Sequence, residues 1–526
     1  MDFLLHHMLC TTAHRFPDKE ALVHGHERLK YADVLRSVSG LAQALREIGI
    51  KRGDRVGIFL EHSVAQVIAI FGISYAGAVY VPINCLLFPN QLAHIAASCG
   101  MRVLITANSK LGSLLLVLPK IPTLEFVVTL SDSEAPSTPL RRFDFDEMTR
   151  NAVPRTWVDW GISRDLAAIL YTSGSTGKPK GVMLSHANIM AGASIVSAYL
   201  EITDDDRILA VLPFSFDAGL NQLTTAFQKG SCLVLMNFVF AQEILQTLSE
   251  ERITGLAGVP TLWTLLTQPN SGLLKQSFPD LRYITNTGGA MPQSVLSILR
   301  RALPSSKIYL MYGLTEAFRS TYLRPEELER RPTSIGKAIP DTEILVLRDD
   351  GTRCLPGEVG ELVHRGPTVF MGYWNDPALT EKTLQANRVA PAEVGREEKV
   401  CYSGDLVMAD DEGFFYYVGR RDTMIKSSGF RISPTEVEEI LFQSGVVRDA
   451  AVVGVPDGML GQAIKAFVVP QEGRVDPDEL LAFCAERLPK YMVPKFIEVI
   501  PDLPKTNSGK VDYSELQRRE GYESGL

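Results

Sequence analysis

The string Tyr171-Thr-Ser-Gly-Ser-Thr-Gly-Lys-Pro-Lys-Gly181 packs glycines, hydroxyl side chains and two lysines into one short stretch. Glycine lets a backbone turn tightly enough for several N–H groups to converge on one anion, and hydroxyls add further donors. Lys178 and Lys180 bring positive charge to the same place. The chemistry this favours is phosphate binding, directly after the apolar run 167–170. The order is not that of a Walker A loop, because Pro179 rather than Ser or Thr follows Lys178. A lone Gly/Ser/Thr stretch is more often a surface loop, so the reading depends on its company elsewhere in the chain.

That company is present. Asn286-Thr-Gly-Gly-Ala290, Tyr312-Gly-Leu-Thr-Glu316 and Tyr402-Ser-Gly-Asp405 follow in order. Gly419-Arg-Arg-Asp-Thr-Met-Ile-Lys-Ser-Ser-Gly-Phe-Arg431 and Pro504-Lys-Thr-Asn-Ser-Gly-Lys510 complete the series. On these six motifs, which span nearly the whole sequence, the chain is identified as a member of the adenylate-forming superfamily. That superfamily comprises acyl-CoA synthetases, peptide-synthetase adenylation domains and luciferases. The resemblance implies an α/β fold: a large N-terminal domain of two α/β subdomains plus a distorted β-barrel, then a small mobile α+β C-terminal domain. It implies ATP and Mg²⁺ as cofactors, with CoA or a phosphopantetheine as acyl acceptor.

A carboxylate is a poor electrophile, and coupling it to AMP with loss of pyrophosphate supplies a leaving group. The site must gather two anions and stabilise charge at the α-phosphorus, which preorganised donors and cations do best. By resemblance, Thr172, Ser173, Gly174, Ser175, Thr176, Gly177 and Lys180 line the ATP-phosphate loop. Gly288, Gly289 and Ala290 form the adenine-side loop, and Tyr312 packs beside the adenine. Thr315 contacts the α-phosphate, and Glu316 holds Mg²⁺, a hard cation suited to carboxylate and phosphate oxygen. Asp405 accepts the ribose hydroxyls, and Arg420 and Arg431 match phosphate- or ribose-contacting arginines. Lys510 bridges substrate carboxylate and phosphate during adenylation. Asp422 is the hinge about which the small domain turns, and Lys426, Ser428 and Gly429 then face the thiol side.

The acid itself is less legible. In Pro213-Phe-Ser-Phe-Asp217-Ala-Gly-Leu-Asn221 an aspartate stands where amino-acid-activating relatives pair with substrate ammonium. A buried ammonium needs such a partner. Asp217 is equally well placed to cap a helix, or to pair with Arg319, which departs from the apolar residue usual at its position. Arg319 could instead hold an anionic group of the substrate. The remaining pocket-wall positions are Ala218, Asn221, Ala257, Thr285, Thr287, Met311 and Ser320, a small and mixed set that implies a modest pocket. The partner is therefore a small carboxylic or amino acid, and the acceptor CoA or an acyl or peptidyl carrier protein. A luciferase-type oxygenase and a non-catalytic nucleotide-binding protein are the other classes; the second would be expected to have lost Lys510, Glu316 or the phosphate loop.

These residues need a scaffold that presents loops at strand ends. Apolar β-branched runs at 55–60, 78–83, 167–170, 208–212, 231–236 and 307–312 alternate with helical patterns such as 63–75. Such alternation predicts α/β architecture with crossover helices. The segment 64–83 is apolar enough to raise the membrane question, but Gln66, Ser74 and several small residues favour a buried helix leading into a buried strand. Stretches 131–138 and 386–399 read as loops. From about Gly419 the texture changes to a helix at 434–443, strands at 450–455 and 463–469, and a helix at 476–488. Domains at 1–421 and 422–526 are expected.

The bulk figures fit. With 526 residues the chain exceeds one typical core. Its net charge of −8, with acids and bases interspersed, argues against nucleic acid as a partner. The seven cysteines form no CxxC pair, so neither a zinc site nor a disulfide framework is expected. Neither a signal peptide nor a membrane span is expected, and the protein reads as cytoplasmic.

Overall fold

The computed structural model describes residues 2–134, 136–150, 161–172, 179–391, 393, 398–421, 423–427, 430–457, 460–471, 473–506 and 510–520. Among the described residues three sheets organise it. The first has eight strands, in the order Gly372–Tyr373, Lys180–Ser185, Leu166–Thr172, Val79–Pro82, Arg55–Phe59, Met101–Ala107, Phe126–Leu130 and Arg141–Asp144. From Leu166–Thr172 onward the neighbours run parallel, as apolar runs joined by helical crossovers demand. The membrane-like segment is a buried helix, Val64–Ala76, followed by the buried strand Val79–Pro82. The Ser63 side chain accepts from the Gln66 N–H to start that helix, and Gly77 ends it at φ 83°. Among the described residues no helix is long and apolar enough to cross a membrane.

The second sheet has fourteen strands. Its parallel half contains Glu20–His24, Cys232–Leu235, Arg207–Ala210, Gly255–Gly258, Tyr283–Asn286 and Lys307–Tyr312. Beyond Lys307–Tyr312 it continues antiparallel through Thr321–Leu323, Ser334–Ala338, Phe415–Arg420, Lys399–Ala409, Val359–Arg365 and Glu343–Leu347. These last strands occupy the place of the expected distorted barrel; among the described residues their pairing runs as an open path.

The third sheet builds the small domain from Ile425–Ser427, Phe430–Ile432, Val447–Asp457, Gly461–Pro470 and Phe496–Val499. Alternation along one strand explains its two-sided core. Val452 joins Val437, Leu441, Leu480 and Cys484 of helices Pro434–Gln443 and Pro477–Arg487 on one face. Ala451 and Val453 join Phe467 and Leu516 of helix Tyr513–Arg519 on the other. A large N-terminal and a small C-terminal domain are thus both present, as expected, although the strands here run longer than 450–455 and 463–469. The cysteines form no disulfide.

Candidate active site

In open α/β sheets ligands bind where loops leave the carboxyl ends of the parallel strands. Three of the motifs stand there. Leu166–Thr172 and Lys180–Ser185 form an antiparallel hairpin in which Thr172 pairs with Lys180. The phosphate loop joins those two positions; Ser173, Gly174, Ser175, Thr176 and Gly177 lie outside the described residues. Asn286 ends its strand, and its side-chain amide donates to the Gly289 carbonyl at 2.9 Å, closing the turn that carries Gly288, Gly289 and Ala290. Gly288 sits at φ 79°, a left-handed conformation that a side chain would resist. Tyr312 ends the adjacent strand, and Thr315 and Glu316 lie in the turn after it.

Two contacts draw distant motifs into that turn. The half-buried Tyr312 donates its hydroxyl to Asp405, and Arg420, cross-strand from Asp405, brings its Nε to 3.5 Å from the same carboxylate. Burial first, and then the adjacent Asp405 charge, push the Tyr312 phenol well above its usual range, so it stays a neutral donor. The Tyr373 hydroxyl donates to Glu316 Oε1 at 2.6 Å. Tyr373 belongs to the short strand paired with Lys180–Ser185, so this bond ties Glu316 to the strand leaving the phosphate loop. Burial and the Glu316 carboxylate also raise the Tyr373 phenol.

The acyl-side residues gather behind the turn. Arg319 Nη1 donates to Asp217 Oδ2 at 2.8 Å, with the arginine side chain 5% and the aspartate 18% exposed. Asp217 is the first residue of helix Asp217–Lys229, and among the described residues it makes no capping bond; Phe216 occupies the cap. Of the alternatives open in the sequence, the structure therefore has the Arg319 pair and not the cap. Gly219 lets this helix start against the preceding backbone, since a β-carbon there would stand 2.3 Å from the Leu212 and Pro213 carbonyls. Ala218, Asn221, Thr285, Thr287, Met311 and Ser320 are buried and Ala257 half-buried. Ser320 is held by His364, whose two ring nitrogens lie 3.1 Å from Ser320 Oγ and Thr368 Oγ1. Burial pushes the His364 pKa down to about 3, so the ring is neutral.

From the small domain, Lys510 reaches this crevice. Its Cε lies 3.9 Å from where a β-carbon on Gly288 would stand. Its carbonyl accepts from the Thr506 N–H at 2.7 Å, and Lys505 bridges Val511 beneath it. Asp422, Ser428 and Gly429 lie outside the described residues, as do the side chains of Lys426 and Arg431; the backbone of Lys426 pairs with that of Arg431.

The family model described as AMP-binding enzyme matches residues 9–374, and that of the AMP-binding enzyme C-terminal domain matches residues 436–510. The chain belongs to the AMP-binding enzyme family. A feruloyl-CoA synthase of an Amycolatopsis species is 33% identical over 521 residues, covering 96% of both proteins. A long-chain-fatty-acid–CoA ligase of Salmonella typhimurium is 29% identical over 96% of this chain and 92% of its own length. Among solved structures, an anthranilate CoA ligase in complex with anthranoyl-AMP superposes with a TM-score of 0.89 at 25% identity, covering 99% of this chain and 98% of that one. A benzoate CoA ligase of Burkholderia xenovorans does so at 0.83 and 27%, covering 98% and 100%. The reaction class of this family is AMP-forming ligation of an acid to a thiol, with ATP and Mg²⁺.

The site fits that ion. Among the described residues no group of three or more His, Cys, Asp or Glu could hold a metal alone. Mg²⁺ keeps waters and needs only one or two carboxylates beside substrate phosphates, and Glu316, oriented by Tyr373, is such a carboxylate. Sequence reasoning missed Tyr373 and His364. No local signal marks either, because each matters through a partner more than forty residues away.

Proposed function

We propose that the chain is an acyl-CoA synthetase for a compact acid without an ammonium group. The observation that carries this reading is the Asp217–Arg319 ion pair. An ammonium in the pocket needs a free carboxylate, and Asp217 is already neutralised by a buried guanidinium. The names of the relatives, a feruloyl-CoA synthase and anthranilate, benzoate and long-chain-fatty-acid CoA ligases, favour CoA over a carrier protein, and three of these four name an aryl acid.

In the first half-reaction the substrate carboxylate attacks the α-phosphorus of ATP, and pyrophosphate leaves. Thr172, Lys180, Thr315 and the 173–177 loop hold the phosphates, the Gly288–Gly289–Ala290 turn and Tyr312 the adenine, and Asp405 with Arg420 and Arg431 the ribose side. When bound at Glu316, Mg²⁺ offsets phosphate charge. Lys510, already beside Gly288, bridges carboxylate and phosphate oxygens. In the second half-reaction the CoA thiol attacks the acyl carbonyl and AMP leaves. We place the domain boundary at 421/422 and the hinge at Asp422, so that rotation withdraws Lys510 and presents Lys426, Ser428 and Gly429 to the thiol. Supply of ATP and CoA points to the cytoplasm.

The test is acid-dependent ATP–pyrophosphate exchange across aryl, short and long alkyl, and amino acids, followed by thioester formation with CoA. Exchange with acids lacking an ammonium, and thioester with free CoA, is expected. Exchange confined to amino acids, or transfer only to a carrier protein, would overturn the reading.

A further inference from the structure

Two buried donors at the expected pocket wall have no acceptor among the described residues. Asn221 is 3% exposed, and among the described residues its Nδ2 has no hydrogen-bond partner; Arg319 is 4% exposed, and its Nε has none there either. They belong to one cluster. Asn221 follows Asp217 by four positions on the helix Asp217–Lys229, which puts both side chains on one face. Arg319 joins that face through Asp217. Its backbone lies under the Glu316 turn, since a β-carbon on Gly313 would stand 3.2 Å from Arg319 Cα. The cluster thus stands beside the turn that carries Thr315 and Glu316.

The chemistry of the occupant follows from charge and valence. Asp217 and Arg319 sum to zero, so a second carboxylate or an ammonium on the substrate would enter uncompensated. A purely alkyl end would leave both donors unpaired away from water. An uncharged oxygen satisfies them. Tyr199 packs against Met311, another of the expected pocket-wall residues. Its hydroxyl lies 3.5 Å from Met311 Sδ, and its ring stacks on Tyr322 at 4.2 Å and 13°. Tyr199 and Tyr322, with Tyr309, line a 380 Å³ surface cavity.

We propose that Arg319, held by Asp217, and Asn221 form an uncharged-oxygen subsite that selects acids carrying a hydroxyl, ether or carbonyl oxygen remote from the carboxylate. This rests on the ligase reading above. The test compares kcat/KM for pyrophosphate exchange between matched pairs of 3-arylpropenoic and benzoic acids. The pairs are 4-hydroxy against 4-methyl and 4-methoxy against 4-ethyl, with 4-carboxy and 4-aminomethyl acids and octanoate alongside. Each oxygenated acid is expected to exceed its alkyl match by about 10- to 100-fold. Asn221→Leu and Arg319→Lys are expected to shrink that ratio to about threefold or less, with thermal melting reporting that each variant is folded. Exchange that favours the alkyl, dicarboxylic or ammonium acids overturns the subsite and leaves the ligase reading standing. So does a ratio unchanged in both folded variants. Should a variant fail to fold, the wild-type ratios alone decide. Absence of exchange with every acid overturns the ligase reading, and the subsite with it.

Discussion

Glu438 offers a perturbation whose size can be worked from the structure. It lies in the core of the small domain, 6% exposed, on helix Pro434–Gln443. Its Oε1 accepts from the Val452 N–H at 2.9 Å and from the Tyr513 hydroxyl at 2.8 Å. Burial outweighs those two bonds and lifts its pKa from 4.5 to about 7. The folded domain thus keeps a proton that the unfolded chain has already released. The stability this contributes is present in full below pH 4.5 and is lost as pH rises through about 7. Between pH 5 and pH 8 the loss is on the order of 2–3 kcal/mol. The effect bears on function, because Tyr513 follows two residues after Val511, the bridge partner of Lys505 that anchors the Lys510 segment. Glu438→Gln keeps an acceptor for both donors and removes the titration. Hydrogen exchange of the Val447–Asp457 strand in the full chain, corrected for intrinsic rates, reads the local opening energy at each pH. The wild type is expected to lose about 2–3 kcal/mol more than the variant between pH 5 and pH 8. Equal pH dependence in the two proteins would refute the argument that a buried, proton-holding carboxyl anchors this domain.

Further outcomes are expected at the crevice. Lys510→Ala should lower pyrophosphate exchange by at least ~10²-fold while sparing thioester formation from preformed adenylate; equal loss of both half-reactions would remove Lys510 from the adenylation step. Asp422→Pro, by fixing φ, should impair thioester formation more than adenylation, and single-turnover measurement of each half-reaction decides it. Tyr373→Phe should raise the Mg²⁺ concentration for half-maximal exchange by about tenfold through loss of the bond that orients Glu316. A changed acid KM at unchanged Mg²⁺ dependence would argue that Tyr373 acts elsewhere.

Much of the molecule was legible locally. The helix Val64–Ala76 was readable from its apolar run between Ser63 and Gly77, and the helix Pro434–Gln443 and strand Lys307–Tyr312 match their expected spans residue for residue. The motifs were legible because backbone turns that hold phosphate need glycines and hydroxyls at short, regular spacing. Periodicity and turn chemistry act over a few residues, which is the range a linear reading covers. The state of Asp217 was not readable that way, since helix cap, ammonium partner and arginine partner all accept the same side chain. Arg319, 102 residues away, decides among them only when the Asp217–Lys229 helix and the turn after Tyr312 pack together. The same holds for Tyr373 on Glu316, Asp405 under Tyr312 and His364 on Ser320. Sequence by itself determined the elements, their order and the chemistry of their loops. Tertiary structure alone decided which charges are already paired, because partners of buried polar groups are chosen by the convergence of strand ends and not by distance along the chain.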